Sequence, residues 1–228
     1  MNKYFCVIPA RGGSKRIPNK NIQDVGGIPL IGHVIRNALE STIFEEVFVS
    51  TDSKEIASIS REFGAMVPSM RKPDLSDDYT PTRPVIADFI MTQPNLQDET
   101  SVVACIYPFA ILARAELLRA ARDKYEQLND NGKYLVAIQR YSHPIQRALS
   151  LTPEGFLLPI STESLEVRTQ DLPTTFHDAG QFYFAQNELW QSDTSVLANS
   201  IGFEIPKYSA VDIDDMEDLE ELRRIYRA

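Results

Sequence analysis

Four runs, YFCVI (residues 4–8), EEVFVS (45–50), SVVACIY (101–107) and YLVAIQ (134–139), are apolar at nearly every position rather than at every second one. A strand open to water on one face alternates, so these runs predict strands buried on both faces, as in a parallel sheet covered by helices. Between the first two, Leu30, Ile31, Val34, Ile35, Ala38 and Leu39 recur at helical spacing behind Pro29, which suits a helix start. Ile56, Ile59 and Phe63 mark a second helix that Gly64 can end in a left-handed cap. RAELLRAARDKYEQL (114–128) and MEDLEELRRIYRA (216–228) read as two more. Strand and helix alternate, which predicts a three-layer α/β domain with a mostly parallel central sheet.

The pattern breaks over residues 142–181, where Pro144, Pro153, Pro159 and Pro173 accompany a turn-like TPEG (152–155). Hairpins or an excursion from the sheet are expected there, followed by a strand over QFYFA (181–185). No internal repeat, low-complexity tract or linker divides the chain, so residues 1–228 are expected to form a single domain containing that sub-region.

Composition narrows the class. Hydrophobic residues make up 43% and charged residues 24%, too apolar for a disordered chain. No apolar run approaches the ~20 residues of a membrane span, and MNKYFCVIPA lacks the long apolar core of a signal peptide. A cytoplasmic protein without a membrane partner is expected. A formal net charge of −9 argues against a nucleic-acid partner, which needs a broad basic surface. Cys6 and Cys105 lie inside apolar runs with no metal spacing around them and read as buried thiols.

Against this acidic background, IPARGGSKRIPNKN (8–21) gathers Arg11, Lys15, Arg16 and Lys20 around Gly12 and Gly13, with no acid. Missing side chains let backbone N–H groups approach an anion, while the cations would repel one another without one. The spacing is neither that of a P-loop nor of a dinucleotide fold, and a triphosphate is the obvious ligand; a solvated basic loop is the alternative. Ligands of open parallel sheets bind beyond the carboxyl ends of the strands. This loop, STD (50–52) and Tyr107 with Pro108 each follow a strand run, DID (212–214) ends a run before the last helix, and with those strands parallel all are expected along one edge. Asp212 and Asp214 point the same way in an extended chain and could share one Mg²⁺; equally, Asp214 with Glu217 fits a capping box on the last helix. His33, His143 and His177 offer no convincing base, and no G-x-S-x-G elbow or zinc spacing anchors a hydrolase reading.

Taken together, these motifs resemble the cytidylyltransferases that activate nonulosonic acids, the CMP-sialate synthetase group, over nearly the whole chain. IPARGGSKRIPNKN is similar to the group's signature, VSTDSKEIA (49–57) to its second motif, RKPDLSDDYTPT (71–82) to the stretch after its third strand, and VDIDDMEDL (211–219) to its closing metal motif. SHPIQRAL (142–149), RTQDLP (168–173) and FHDAGQFYF (176–184) resemble the pseudaminate-activating branch, since sialate enzymes typically carry Asn-Gly-Ala where this chain has Asp178, Ala179 and Gly180.

The resemblance implies a Rossmann-like fold and transfer of CMP from CTP to the anomeric hydroxyl of a nonulosonic acid, pseudaminate first, with release of pyrophosphate. Legionaminate, sialate or deoxy-octulosonate are alternative acceptors; a metal-dependent glycosyltransferase or a silent nucleotide-binding protein is a more remote reading. By position, it implies that Arg11, Gly13, Ser14, Arg16, Lys20 and Asn21 hold the phosphates, with Ser50, Asp52 and Arg71 near the nucleotide. Asp212 and Asp214 would bind Mg²⁺, with Mn²⁺ as the alternative, and would act with Arg11, Arg16 and Lys20 in catalysis. Arg168, Gln170, Asp178, Gln181 and Tyr183 would line the sugar side, where the planar fork of Arg168 suits a carboxylate. A homodimer is implied, its middle segment crossing to the partner. Two departures stand out: Phe109 and Ile111 replace a Thr/Ser-x-Pro pattern expected near the nucleotide, and Asp215 and Met216 replace a common Thr-Pro pair at the last helix.

Overall fold

The computed structural model describes residues 2–128, 130 and 132–227. Strand β1 (Lys3–Pro9) opens the chain, and a small hairpin of β2 (Asp24–Val25) and β3 (Ile28–Pro29) leads into helix α1 (Leu30–Ser41). Then come β4 (Glu46–Ser50), α2 (Lys54–Glu62), α3 (Thr82–Thr92), β5 (Ser101–Ile106), α4 (Ala115–Leu128) and β6 (Tyr134–Arg140). A second hairpin, β7 (Leu149–Leu151) and β8 (Leu157–Pro159), precedes the long β9 (Phe176–Gln186), and α5 (Asn187–Gln191), β10 (Ser200–Glu204) and α6 (Met216–Arg227) complete the order.

Six strands form one sheet in the order β10-β6-β9-β5-β1-β4. β1 is parallel to β4 and β5, and β6 to β10, whereas β9 runs antiparallel to both β5 and β6. One strand in six is therefore reversed, and the sheet is mostly parallel as expected. Side chains alternate across it: Cys6 and Ile8 face the layer of α1, α4 and α6, while Phe5 and Val7 face that of α3 and α5. Two helical layers explain why the strands carry no polar face. Cys6 and Cys105 are fully buried free thiols in opposite layers.

Besides the short β2–β3 hairpin, α5 and β10, which carry no distinct sequence signal, three places differ from the sequence reading. Helix α3 is unanticipated because Pro81 and Pro84 look like breakers, yet they occupy its N-cap and first turn, where a missing N–H leaves no bond unmade. Strand β9 begins five residues before the expected strand, so the excursion proper ends before Phe176. Its ladder with β6 resumes beyond a bulge between Val136 and Ile138, where Gly180 takes φ +59°, a conformation that is easy only without a Cβ. Finally, the DID segment ends no strand. It is fixed by Ile213, fully buried between exposed Asp212 and Asp214.

Candidate nucleotide site

Beyond the carboxyl end of β1 the chain stays bound to β4, with the Ala10 N–H donating to the Ser50 carbonyl at 2.9 Å. Asp52 Oδ1 then accepts from the Gly12 N–H at 2.8 Å. A Cβ on Gly12 would stand 3.0 Å from that of Ser53, tighter than an ordinary contact, so any other residue would push the two loops apart by a few tenths of an ångström. Asn21, buried, closes the loop by donating to the Arg11 carbonyl at 2.9 Å, and Ile17 is buried within the turn. Asp52 therefore shapes the loop. Ser50, also buried, has a similar role: its Oγ accepts from Arg71 Nε at 3.1 Å and its carbonyl oxygen accepts from the same guanidinium. Burial lowers Arg71 to about 10, with Asp52 opposing the shift, so it remains charged at neutral pH.

A cleft of about 410 Å³ opens above this floor and brings together Arg11, Ser14, Arg16, Lys20, Asn21 and Arg71 with Asp214. Gly13 has nothing within 4 Å of a notional Cβ, which leaves its backbone open to approach. The cations are not left to repel one another, as the sequence alone suggested. Asp78 takes both Arg11 and Lys15, the latter at 2.5 Å, and Asp214 takes Arg16 at 2.7 Å. Hydrogen bonds from Lys15 and Arg11 hold the Asp78 carboxyl below the usual carboxylate range. Asp78 was missed because its partners lie far off in sequence; the paired acids of SDDY, following the cationic RKP, are the one local hint.

Across the cleft, Lys20 Nζ donates to the Ile213 carbonyl at 2.7 Å and lies 4.6 Å from the centre of the Phe109 ring. Burial lowers its proton affinity, and Asp212 and Asp214 oppose that shift. The capping-box reading of Asp214 needs correction by one residue. Asp215 Oδ1 accepts from the Glu217 and Asp218 N–H groups at 2.8 and 3.1 Å, and Asp218 Oδ2 accepts from Asp214 and Asp215 at 2.8 and 3.0 Å. Asp215 is thus the cap, Met216 starts the helix, and the Asp214 carboxylate is free of capping duty. Partial burial raises the Asp212 pKa, and neighbouring Asp214 raises it further. Both carboxylates are hard oxygen donors, but only Asp214 lines the cleft, where it is paired with Arg16. Among the described residues no group of three or more His, Cys, Asp or Glu has metal-holding geometry, so waters and phosphate oxygens would have to complete the shell.

A second cavity of about 280 Å³ shares Thr82 and Tyr107 with the cleft and is lined by Asp178 and Tyr183. Asp178 accepts from Gly180 N–H at 2.9 Å and from Tyr183 OH at 2.6 Å. A Cβ on Gly180 would lie 4.0 Å from the Asp212 carboxyl carbon, so this turn touches the acidic segment. Tyr107 OH and Thr82 Oγ1 are 2.6 Å apart, and burial raises the Tyr107 phenol to about 12. Its ring stacks on Phe109 at 5.5 Å and 5°, so the departure at Phe109 exchanges a hydroxyl for an aromatic shelf. Ile111 is buried, its carbonyl accepting from Asn37.

The remaining sugar-side residues lie elsewhere within this chain. Gln181 is fully buried and donates to the Ala179 and Gly180 carbonyls, bracing the β9 bulge rather than lining the cavity. Arg168 is exposed on the excursion, paired with Asp171 at 2.7 Å, and Gln170 lines a separate hollow of about 770 Å³ beside β10. None of the three histidines lines the cleft: His33 is buried under α6, His143 bonds Ser142, and His177 bonds the Asp178 carbonyl.

A mostly parallel α/β sheet with a cationic cleft and Asp214 at its carboxyl edge suits a nucleotidyltransferase. The family model described as Cytidylyltransferase matches residues 5–227, and the chain belongs to that family. It is 38% identical over 226 residues to the pseudaminic acid cytidylyltransferase of Campylobacter jejuni, covering 99% of this chain and 97% of that protein. The CMP-N,N'-diacetyllegionaminic acid synthase of Legionella pneumophila is 31% identical, covering 97% and 98%. The solved CMP:2-keto-3-deoxy-manno-octonic acid synthetase complexed with CTP superimposes with a TM-score of 0.73 at 17% identity over 99% of each chain, a likeness of the Rossmann-like fold. Among the described residues no helix is long and apolar enough to cross a membrane.

Proposed function

We propose that this cytidylyltransferase uses CTP and pseudaminate, forming CMP-pseudaminate and pyrophosphate. The observation that carries the reading is the shared cleft, which Arg11, Arg16 and Lys20 line together with Asp214, in a chain similar over nearly its whole length to a pseudaminic acid cytidylyltransferase. Nucleotidyl transfer needs an oxygen nucleophile in line with the α-phosphorus and charge relief for the departing pyrophosphate, so positioning and electrostatics supply the catalysis. Arg11, Lys15 and Arg16, with the open backbone at Gly13, suit the departing phosphates. Lys20, fixed between the Phe109 ring and the Ile213 carbonyl, suits the phosphate nearest the acidic segment. Asp212 and Asp214 would hold Mg²⁺, or Mn²⁺ by the same oxygen preference; when bound, the ion supplies charge neutralisation at phosphate oxygens. The second cavity, next to this centre across Thr82 and Tyr107, would take the sugar against Asp178 and Tyr183.

The same reading includes a homodimer and a cytoplasmic setting. Leu149, Leu151, Phe156, Leu157, Leu158 and Ile160 are all exposed on the β7–β8 hairpin, an apolar cluster that favours a protein partner over solvent. A second copy would cover it and would bring Arg168 toward the neighbouring active centre. The test offers CTP and Mg²⁺ with pseudaminate, legionaminate, sialate or deoxy-octulosonate in turn, and measures CMP-sugar. Fastest turnover with pseudaminate is expected. Preference for another acid would reassign the sugar, and no product from any would overturn the reading.

A further inference from the structure

We propose that Asp78 is an exchangeable counter-ion of the phosphate cleft: it holds Arg11 and Lys15 between turnovers, yields them to the triphosphate, and competes for them again as pyrophosphate leaves. The proposal rests on the reading of the basic loop as the phosphate site.

Each carboxylate oxygen of Asp78 has its own cation, Oδ1 with Arg11 Nη1 and Oδ2 with Lys15 Nζ at 2.5 Å. A carboxylate bridging two cations in this way presents the same two-oxygen edge as a phosphate. The turn that carries Asp78 does not depend on those pairs. Asp77 Oδ1 accepts from Tyr79 N–H at 2.8 Å, Thr80 N–H at 2.6 Å and Thr80 Oγ1 at 2.8 Å, an independent clamp. The segment's base is tied to the same strand end as the basic loop: Arg71 N–H donates to the Thr51 carbonyl at 2.8 Å, and Asp52 holds Gly12. Two loops anchored side by side thus aim one acid at two cations.

Partial exposure makes these pairs exchangeable. The side chains of Asp78, Arg11 and Lys15 are 24%, 33% and 79% exposed, and ion pairs so open to water shift an equilibrium only several-fold. A triphosphate or pyrophosphate, with more charge than a carboxylate, displaces Asp78; a weakly charged anion does not. Being tethered, Asp78 stays at high effective concentration and takes the cations back when product leaves. It is a positioning residue, since it acts through Arg11 and Lys15.

Calorimetric titration of the full chain with pyrophosphate tests this, alongside pyrophosphate inhibition of the forward reaction. Asp78→Asn should bind pyrophosphate roughly threefold to tenfold more tightly than wild type. Inhibition should tighten in parallel, KM for CTP should fall and kcat should not rise. Asp78→Glu should restore wild-type behaviour. Asp74→Asn makes the same charge change on the same exposed segment at an acid to which neither cation is paired, and should leave affinity near wild type. Weaker or unchanged binding in Asp78→Asn would overturn the proposal, because a purely structural residue can only weaken the site. An equal gain in Asp74→Asn would also overturn it, leaving only a general field effect. Failure of the wild type to bind pyrophosphate would instead remove the phosphate reading beneath it.

Discussion

Lys20 Nζ donates to the carbonyl oxygen of Ile213 at 2.7 Å across 193 positions of sequence, and together with the Arg16–Asp214 pair this bond ties the basic loop to the acidic segment. Ile213 is fully buried, so the bond also fixes the outward aim of its neighbours Asp212 and Asp214. The phosphate side and the metal side of the proposed site are therefore set relative to each other by a side chain from one and a backbone group from the other.

Lys20→Met keeps the apolar stem but removes the donor and the charge. Pyrophosphate release should fall roughly 100-fold, the scale seen when one preorganised electrostatic donor is lost. Lys20→Arg should not rescue it, because a planar fork does not fit where a compact ammonium sits between the Phe109 ring and the Ile213 carbonyl. Wild-type turnover in both variants would exclude Lys20 from the reaction.

Asp212 predicts a gain in stability from a loss of function. Partial burial, then Asp214, raises its pKa in the folded state. A raised group contributes stability that is fully present below its unfolded pKa, about 3.9, and lost as pH rises through the folded value. At pH 7 the charged Asp212 is therefore a cost, tempered by its access to solvent. Asp212→Asn should raise the melting temperature at pH 7 and lose that gain on acidification toward pH 4. Mg²⁺ should stabilise the wild type more than the variant. A lower melting temperature for the variant at pH 7 without metal would contradict the assignment.

Local chemistry made part of this readable from sequence. The loop at residues 8–21 declared itself by charge and glycine content, and β1, β4 and β5 by having no polar face. What was not readable depends on distant partners. The reversal of β9 and the left-handed Gly180 follow from pairing with β5 and β6, which no local pattern encodes. Asp78 meets Arg11 across 67 positions. Asp214 and Asp215 offer equivalent capping carboxylates on paper, and only the hydrogen bonds of the Glu217 and Asp218 N–H groups decide between them. Phe109 read as a lost hydroxyl, whereas its stacking on Tyr107 and its contact with Lys20 give it a role of its own.

His33 should act as a pH-dependent weak point. Its Nε2 lies 2.7 Å from the Val25 carbonyl and its ring packs 4.7 Å from that of Tyr226, joining the β2–β3 hairpin, α1 and α6. Burial lowers its pKa, with the Val25 hydrogen bond opposing the shift. A lowered group contributes stability that is present above its unfolded pKa, about 6.5, and lost as pH falls through the folded value. The wild type should therefore lose melting temperature between pH 7.5 and 5. His33→Gln, which keeps a donor and cannot titrate, should flatten that slope; an unchanged slope would place the acid sensitivity elsewhere.

The β7–β8 hairpin should separate assembly from folding. Two three-residue strands are marginal alone, and this pair joins no other sheet. Leu151 and Leu157 face each other in its register and are both exposed, so replacing them costs little within one protomer. Leu151→Asp/Leu157→Asp should keep the melting transition near wild type while light scattering shows the mass falling from twice 25.8 kDa to one chain. If Arg168 serves the neighbouring centre, the monomeric variant should bind CTP normally yet lose sugar-dependent turnover. Mixing Arg168→Ala with Asp214→Asn then discriminates further. Each is impaired alone, but a mixed dimer pairs one intact cleft with one intact arm and should regain up to about a quarter of wild-type activity from random reassortment of a C₂ dimer. No recovery after subunit exchange would keep Arg168 out of the partner's site, and a fully active wild-type monomer would remove the dimer from the proposal.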